Sequence, residues 1–213
     1  MSAEEDELKK RIIWVMKKCT ERGLMTGIGG NASARLPMAE EIWITPSGVY
    51  KPLLEPDDLI KMDLDGNIIE GILKPSIEWY FHTAIYKKRM DVNAVVHTHS
   101  PMATGFALAE GKIKPITFEA ATMLARVPII PFKYPGTKEF GETVGESIMG
   151  NRVVLVQNHG VIAAGYDLIE AMSAVEILDE CCTMLLVARQ FGAEEPATIP
   201  PDQIELIKKI YKV

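Results

Sequence analysis

The chain has 213 residues, of which 47% are apolar and 24% charged, with 23 Lys and Arg against 29 Asp and Glu and a formal charge of −6. That composition supports a packed core and excludes wholesale disorder, and the length fits one domain spanning residues 1–213. An acidic balance without an extended basic run excludes a long grip on a nucleic-acid backbone, while leaving room for a small anion in one local pocket.

Taken in order, apolar groups at Leu8, Ile12, Ile13, Val15, Met16 and Cys19 fall at helical spacing and predict a helix from Glu4 to Arg22, stopped by Gly23. GIGGNASARL follows as a glycine-rich turn leading into a strand, and Ile42 to Thr45 form another, ended by Pro46-Ser47-Gly48. LIKMDLDGNIIEG predicts a hairpin with Asp65-Gly66 as a two-residue turn. A helix is expected from about Ile77 to Arg89, with Ser76 as its N-cap, followed by an apolar strand from Asn93 to His97. Further strands are predicted at Ile129 to Phe132 and Arg152 to Gln157, the latter buried. Further helices are predicted at Pro101 to Ala109, Glu139 to Met149 and Leu168 to Phe191. AEEPATIPP reads as a Pro-rich linker before a short terminal helix in DQIELIKKIYKV. Mixed strands and helices predict an α/β layered domain.

No apolar stretch approaches the ~20 residues of a membrane helix. The charged MSAEEDELKK start carries no apolar signal region, so export is not expected. Cys19, Cys181 and Cys182 make an odd count without CxxC spacing, and the adjacent Cys181 and Cys182 in an apolar periodic run predict buried free thiols and a cytoplasmic location.

Only four histidines occur, and three of them end strands. In AVVHTHS, His97 and His99 are two apart, so the strand period places both imidazoles on one face, a spacing that suits a divalent metal as well as a plain His pair. In VVLVQNHGVI, His159 follows another apolar strand, and Gly160 is expected to let the backbone turn sharply there. Three protein ligands and an open position describe a catalytic rather than a structural metal site. Glu78 and His82 lie four apart on a predicted helix and share a face. Glu78 is either a carboxylate favoured by the helix dipole or an acid/base beside the metal, and His82 reads as a packed neighbour rather than a ligand. Gly29-Gly30-Asn31, Thr45-Pro46-Ser47-Gly48 and Ser76 offer turn amides and hydroxyls that can hold a phosphate without clustered lysines, although each is also an ordinary turn.

GIGGNAS, ITPSG, KPSIEW, VVHTHS and QNHG, in that order, resemble the zinc-dependent class II sugar-phosphate aldolase and epimerase family over roughly Leu8 to Phe191. The resemblance implies a three-layer α/β/α domain around a largely antiparallel sheet. It also implies a homotetramer with active sites between subunits, and a C-terminal tail, 192–213, that closes over the site. It implies one Zn2+ per subunit on His97, His99 and His159, with Glu78 as acid/base and additional ligand. Gly30, Asn31, Ser47, Gly48 and Ser76 match positions that bind substrate phosphate. The implied reaction is reversible cleavage of a ketose 1-phosphate, of the L-fuculose 1-phosphate kind, to dihydroxyacetone phosphate and an aldehyde. The family also contains pentulose-5-phosphate 4-epimerases, methylthioribulose-1-phosphate dehydratases and keto-acid phosphate decarboxylases. Its epimerases carry Asp where this chain has Glu78, which favours the aldolase branch. Two positions depart from the fuculose-type pattern: Ile77 replaces a serine, and Phe118 stands near a tyrosine that protonates the aldehyde end. Glu119, Tyr134 or Tyr211 are the candidates for that missing proton donor.

Overall fold

The computed structural model describes residues 2–109, 113–124 and 126–211. Helix α1 (Ala3–Glu21) opens with a reciprocal cap: Ser2 Oγ accepts from the Glu5 amide and the Glu5 carboxylate accepts from the Ser2 amide, satisfying two orphan donors of the first turn. Strands β1 (Asn31–Ala34), β2 (Glu41–Ile44), β3 (Ile60–Asp63) and β4 (Ile68–Glu70) follow. Helix α2 (Trp79–Lys88) leads into β5 (Ala94–Thr98), and then come α3 (Pro101–Leu108), α4 (Phe118–Met123) and β6 (Ile129–Ile130). The chain continues through α5 (Lys138–Ser147), β7 (Val153–Val156), β8 (Gly160–Gly165), α6 (Leu168–Gln190) and α7 (Pro201–Tyr211).

The eight strands among the described residues join one sheet in the order β4-β3-β2-β1-β5-β8-β7-β6, antiparallel throughout except where β6 meets β7. Strand alternation sorts the apolar side chains into two layers. Ala32, Ala34, Val96, Leu155 and Val161 face one side with α1, α3, α4 and α6. Ile42, Ile44, Val95, Val154 and Ile162 face the other with α2 and α5. The three-layer α/β/α architecture with a largely antiparallel sheet is the one expected.

Several local expectations change. Strand β8 was not anticipated: Val161-Ile162-Ala163-Ala164 is buried on both faces, so it lacks the alternation that marks a half-exposed strand. The short α4 was also missed, and β6 is two residues long, half the expected Ile129 to Phe132. The Asp65-Gly66 turn is longer than two residues, because the Asp63 carboxylate accepts from the amides of Asp65 (2.9 Å) and Asn67 (2.8 Å) and draws the loop out. Ser76 is not the cap of α2. That helix begins at Trp79 with Glu78 at its N-cap position, and Ser76 Oγ instead accepts from the Glu78 amide at 3.3 Å. The Pro-rich tail is irregular as expected but anchored, since the Ile199 amide donates to Pro115 O at 3.1 Å, and α7 follows up to Tyr211; Lys212 and Val213 of the anticipated terminal helix lie outside the described residues. Cys19, Cys181 and Cys182 are buried free thiols. Among the described residues no helix is long and apolar enough to cross a membrane.

Candidate metal centre and active site

His97 occupies the penultimate position of β5 and is fully buried. Its Nδ1–H donates to Val161 O on the neighbouring β8 at 2.8 Å. A carbonyl can only accept, so in the neutral ring the Nε2 lone pair points away from the sheet bond. His99 lies one residue beyond the strand, with its Nε2 3.1 Å from His97 Nε2. His159 sits in the turn joining β7 to β8, and its ring centroid is 4.8 Å from that of His97 and 5.2 Å from that of His99. The three ligating atoms lie within 4.8 Å of one another. Burial is the main cause that holds the His97 and His159 pKa values down to about 3, and it lowers that of His99 as well. All three rings are therefore uncharged at neutral pH, the form that ligates metal.

Glu78 closes the cluster. Its Oε2 is 3.3 Å from His97 Nε2 and its Oε1 is 3.3 Å from His159 Nε2. Oε1 is buried without a hydrogen-bond partner. Lone pairs that face one another at about 3 Å without a shared proton repel, and a divalent cation between them converts the repulsion into ligation. Three imidazoles and a carboxylate are a donor set for zinc or a similar first-row ion, whose nitrogens at about 2.0–2.1 Å from the metal would be a little over 3 Å apart. The residues present therefore fit the metal that the sequence motifs imply.

The backbone explains why these groups meet. Asn158, not Gly160, takes the left-handed conformation in the turn, with φ 58°. Gly160 serves a different need from the sharp turn expected of it: a Cβ there would sit 2.2 Å from Thr98 O. A side chain would wedge β8 from β5 next to two of the histidines. We expect Gly160→Ala to lower stability by about 1–3 kcal/mol, read as a fall in the denaturation midpoint, and to weaken metal retention. An unchanged midpoint would contradict this close approach. Gly30, with φ 63°, presses on the same strand from the other edge, since a Cβ there would be 2.5 Å from His97 O. After His99, Ser100 caps α3 by accepting from the Ala103 amide at 3.2 Å and donates to Asp179 on α6, tying the end of the HTHS segment to the helical layer. Phe81 meets His97 edge-on at 5.5 Å between centroids, and Phe140 lies 5.7 Å from His159, so apolar rings back the cluster.

The expected phosphate positions gather beside it. The Ser47 amide donates to Lys74 O and the Ser76 amide to Thr45 O, both at 3.0 Å, which lays the TPSG turn against the KPS segment. Thr45 Oγ1 accepts from the Ala32 amide at 3.2 Å, joining that pair to β1 just past Gly30. Ser47 and Gly48 are exposed, and Ser76 is buried next to Glu78. The Asn31 side chain is engaged elsewhere: its Nδ2 donates to Glu78 Oε2 at 2.8 Å and its Oδ1 meets His82 Nε2 at 2.6 Å. His82 is fully buried and stacked on Phe81 at 4.4 Å between centroids, the packed neighbour that was expected, and burial drives its pKa well below the ordinary imidazole value. Ile77 is 62% exposed between Ser76 and Glu78. Tyr211 packs edge-on against Phe118 at 5.3 Å, so within this chain the tail rests on α4 rather than on the histidines. Tyr134 is exposed in a loop that touches Ile77 through Gly136, where a Cβ would be 2.9 Å from Ile77 O. A cavity of about 580 Å3 lies elsewhere, between α3, α6 and the 193–200 tail, lined by apolar groups such as Phe106, Ile116 and Leu185 and by none of the histidines.

The bonds from Asn31 to Glu78 and His82 went unread in the sequence, although a signal existed. Glu78, His82 and Tyr86 fall at i, i+4 and i+8, while Asn31 and Ser33 fall at i and i+2 of a strand, so one polar helix stripe could face one polar strand stripe.

A family profile described as the class II aldolase and adducin N-terminal domain matches residues 10–186. The chain belongs to that family. A protein of Methanocaldococcus jannaschii named L-fuculose phosphate aldolase is 35% identical over 179 residues, covering 84% of this chain and 96% of its own length. A 5-deoxy-D-ribulose 1-phosphate aldolase of Bacillus thuringiensis serovar kurstaki is 32% identical over 204 residues, covering 96% and 95%. A solved L-fuculose 1-phosphate aldolase superposes with a TM-score of 0.90 at 31% identity, over 100% of this chain and 98% of that one. The fold is thus that of the class II aldolases, and the three-histidine cluster lies within the matched segment.

Proposed function

We propose that this protein is a zinc-dependent aldolase that reversibly cleaves a ketose 1-phosphate, of the L-fuculose 1-phosphate or 5-deoxyribulose 1-phosphate kind, to dihydroxyacetone phosphate and an aldehyde. The observation that carries the reading is the Glu78 carboxylate set among three histidines with one oxygen unpaired. His97, His99 and His159 would hold the zinc, with Glu78 completing the set before substrate binds. A bound zinc would supply Lewis-acid polarisation of a substrate carbonyl. Glu78 would then carry the proton to and from the carbon of dihydroxyacetone phosphate at which the bond forms. The rings of Phe81 and Phe140 restrict water behind the cluster and strengthen the charge interactions in front of it.

Gly30, Ser47, Gly48 and Ser76 would hold the phosphate with neutral donors. Asn31 would join them only by releasing Glu78, so its amide links phosphate binding to the freedom of the base. Ile77, where a second hydroxyl would strengthen that grip, leaves an apolar rim. Exposed Ile28, Tyr50, Ile77 and Tyr134 on the surrounding loops support assembly into a homo-oligomer, a tetramer by the family resemblance, in which neighbouring subunits complete the site. Tyr134 and Tyr211 are the hydroxyls available as aldehyde-end proton donors.

The test is incubation of the zinc-loaded protein with dihydroxyacetone phosphate and a panel of short aldehydes, lactaldehyde and acetaldehyde among them. Condensation to a ketose 1-phosphate is expected. No product with any aldehyde would overturn the aldolase reading.

A further inference from the structure

Behind Glu78 a buried chain of hydrogen bonds runs into the core. Asn31 Nδ2 meets Glu78 Oε2 at 2.8 Å, Asn31 Oδ1 meets His82 Nε2 at 2.6 Å, His82 Nδ1 meets Ser33 Oγ at 2.7 Å, and Ser33 Oγ meets the Tyr86 hydroxyl at 2.9 Å. All five residues are buried. The direction of each bond follows from the first. A carboxylate only accepts, so the NH2 end of Asn31 faces Glu78 and its oxygen faces the ring. His82 Nε2 must therefore donate, which leaves Nδ1 of the neutral ring as an acceptor from the Ser33 hydroxyl. With the Ser33 proton on His82, the one Tyr86 hydroxyl proton is shared between Ser33 Oγ at 2.9 Å and Ser33 O at 3.0 Å. From Ser33 through His82 to Asn31 each donor is aimed toward Glu78, and reversing Asn31 would set its oxygen against the carboxylate and a bare N–H against the ring.

We propose that His82 is a positioning residue that, through Asn31, fixes the orientation of the Glu78 carboxylate toward the three histidines. The inference rests on the reading of Glu78 as the proton-moving group. It does not require His82 to touch substrate or metal. Its single task is to hold the Asn31 oxygen, so that the amide N–H points at Glu78 while the base waits and keeps that heading when the carboxylate moves.

Two amide replacements separate this role from packing. In His82→Gln the side chain reaches the place of Nε2 and can still donate to Asn31. In His82→Asn it reaches only the place of Nδ1 and can serve Ser33 alone. Both leave a polar amide in the same buried pocket. With dihydroxyacetone phosphate as probe, we expect His82→Gln to keep the rate of hydrogen exchange at carbon 3 within about threefold. His82→Asn should lose about 10- to 100-fold in kcat with KM and zinc content unchanged, the size of loss a misaimed group produces. In the metal-free protein, nitrogen-15 NMR should find the wild-type His82 proton on Nε2; the Asn31 amide protons should be shielded from water exchange in wild type and His82→Gln and lose that shielding in His82→Asn. Equal losses in the two variants, a wild-type kcat in His82→Asn, or a proton on Nδ1 would each overturn the proposal. If Glu78→Gln exchanges at the wild-type rate, the base reading fails instead, while the NMR comparison still decides whether His82 holds Asn31.

Discussion

Glu78→Gln should retain bound zinc and lose about 10²- to 10⁴-fold in hydrogen exchange at carbon 3 of dihydroxyacetone phosphate, the span that a positioned acid/base contributes. The substitution keeps the shape and removes the charge. Its amide oxygen can still accept from Asn31 Nδ2, which lies 2.8 Å from the present carboxylate. Its amide nitrogen would then take the place of Oε1 and face His159 Nε2, now 3.3 Å away, where it has a lone pair to donate to. In the absence of metal the variant should therefore be no less stable than wild type, because a repulsive contact becomes a hydrogen bond. Three imidazoles remain to hold the ion, so metal content and catalysis should separate. Exchange within tenfold of wild type in a zinc-loaded variant would remove Glu78 from the proton-moving role.

The three-histidine group was legible because the physics that aims it is local. A strand repeats every two residues, so His97 and His99 had to project together, and an apolar strand before His159 had to bring it to a sheet end. What joined those ends was not legible. Strand β8 lies between β5 and β7 and supplies the Val161 carbonyl that orients His97, yet its buried, non-alternating sequence carries no strand period. Gly160 was noticed for the wrong property: its need is set by Thr98, 62 residues away in the chain and 2.2 Å from the missing Cβ in space. Ser76 showed the residue type of a helix cap, but pairing of the Thr45 and Ser76 backbones starts α2 later, at Trp79. That delay leaves Glu78 in the turn ahead of the helix, where its carboxylate reaches the histidines instead of lying along a helix face. Long-range pairing, rather than propensity, settled each of these positions.

His97→Ala should abolish stoichiometric zinc binding and also destabilise the metal-free protein, and the two losses have different causes. The first removes one of four donors, a larger effect than the about 10- to 100-fold that follows loss of an outer hydrogen-bonding partner. The second comes from the sheet. His97 is fully buried, its Nδ1–H bridges β5 to Val161 of β8 at 2.8 Å, and its ring meets Phe81. Deleting the ring leaves a cavity and removes the side-chain bond to Val161 O, together worth about 2–4 kcal/mol. His99 provides the contrast: it lies beyond the strand end, is only partly buried, and its Nε2 meets His97 Nε2 at 3.1 Å rather than a backbone group of the sheet. His99→Ala should lose zinc as His97→Ala does while costing much less stability in chelator. Denaturation of the three proteins with and without excess chelator, alongside zinc-to-chain ratios, resolves the two effects. An unchanged zinc ratio in His97→Ala would sink the ligand assignment. Equal chelator-state losses in the two variants would instead overturn the division of labour, in which His97 is at once a ligand and a bolt between β5 and β8, and His99 a ligand alone.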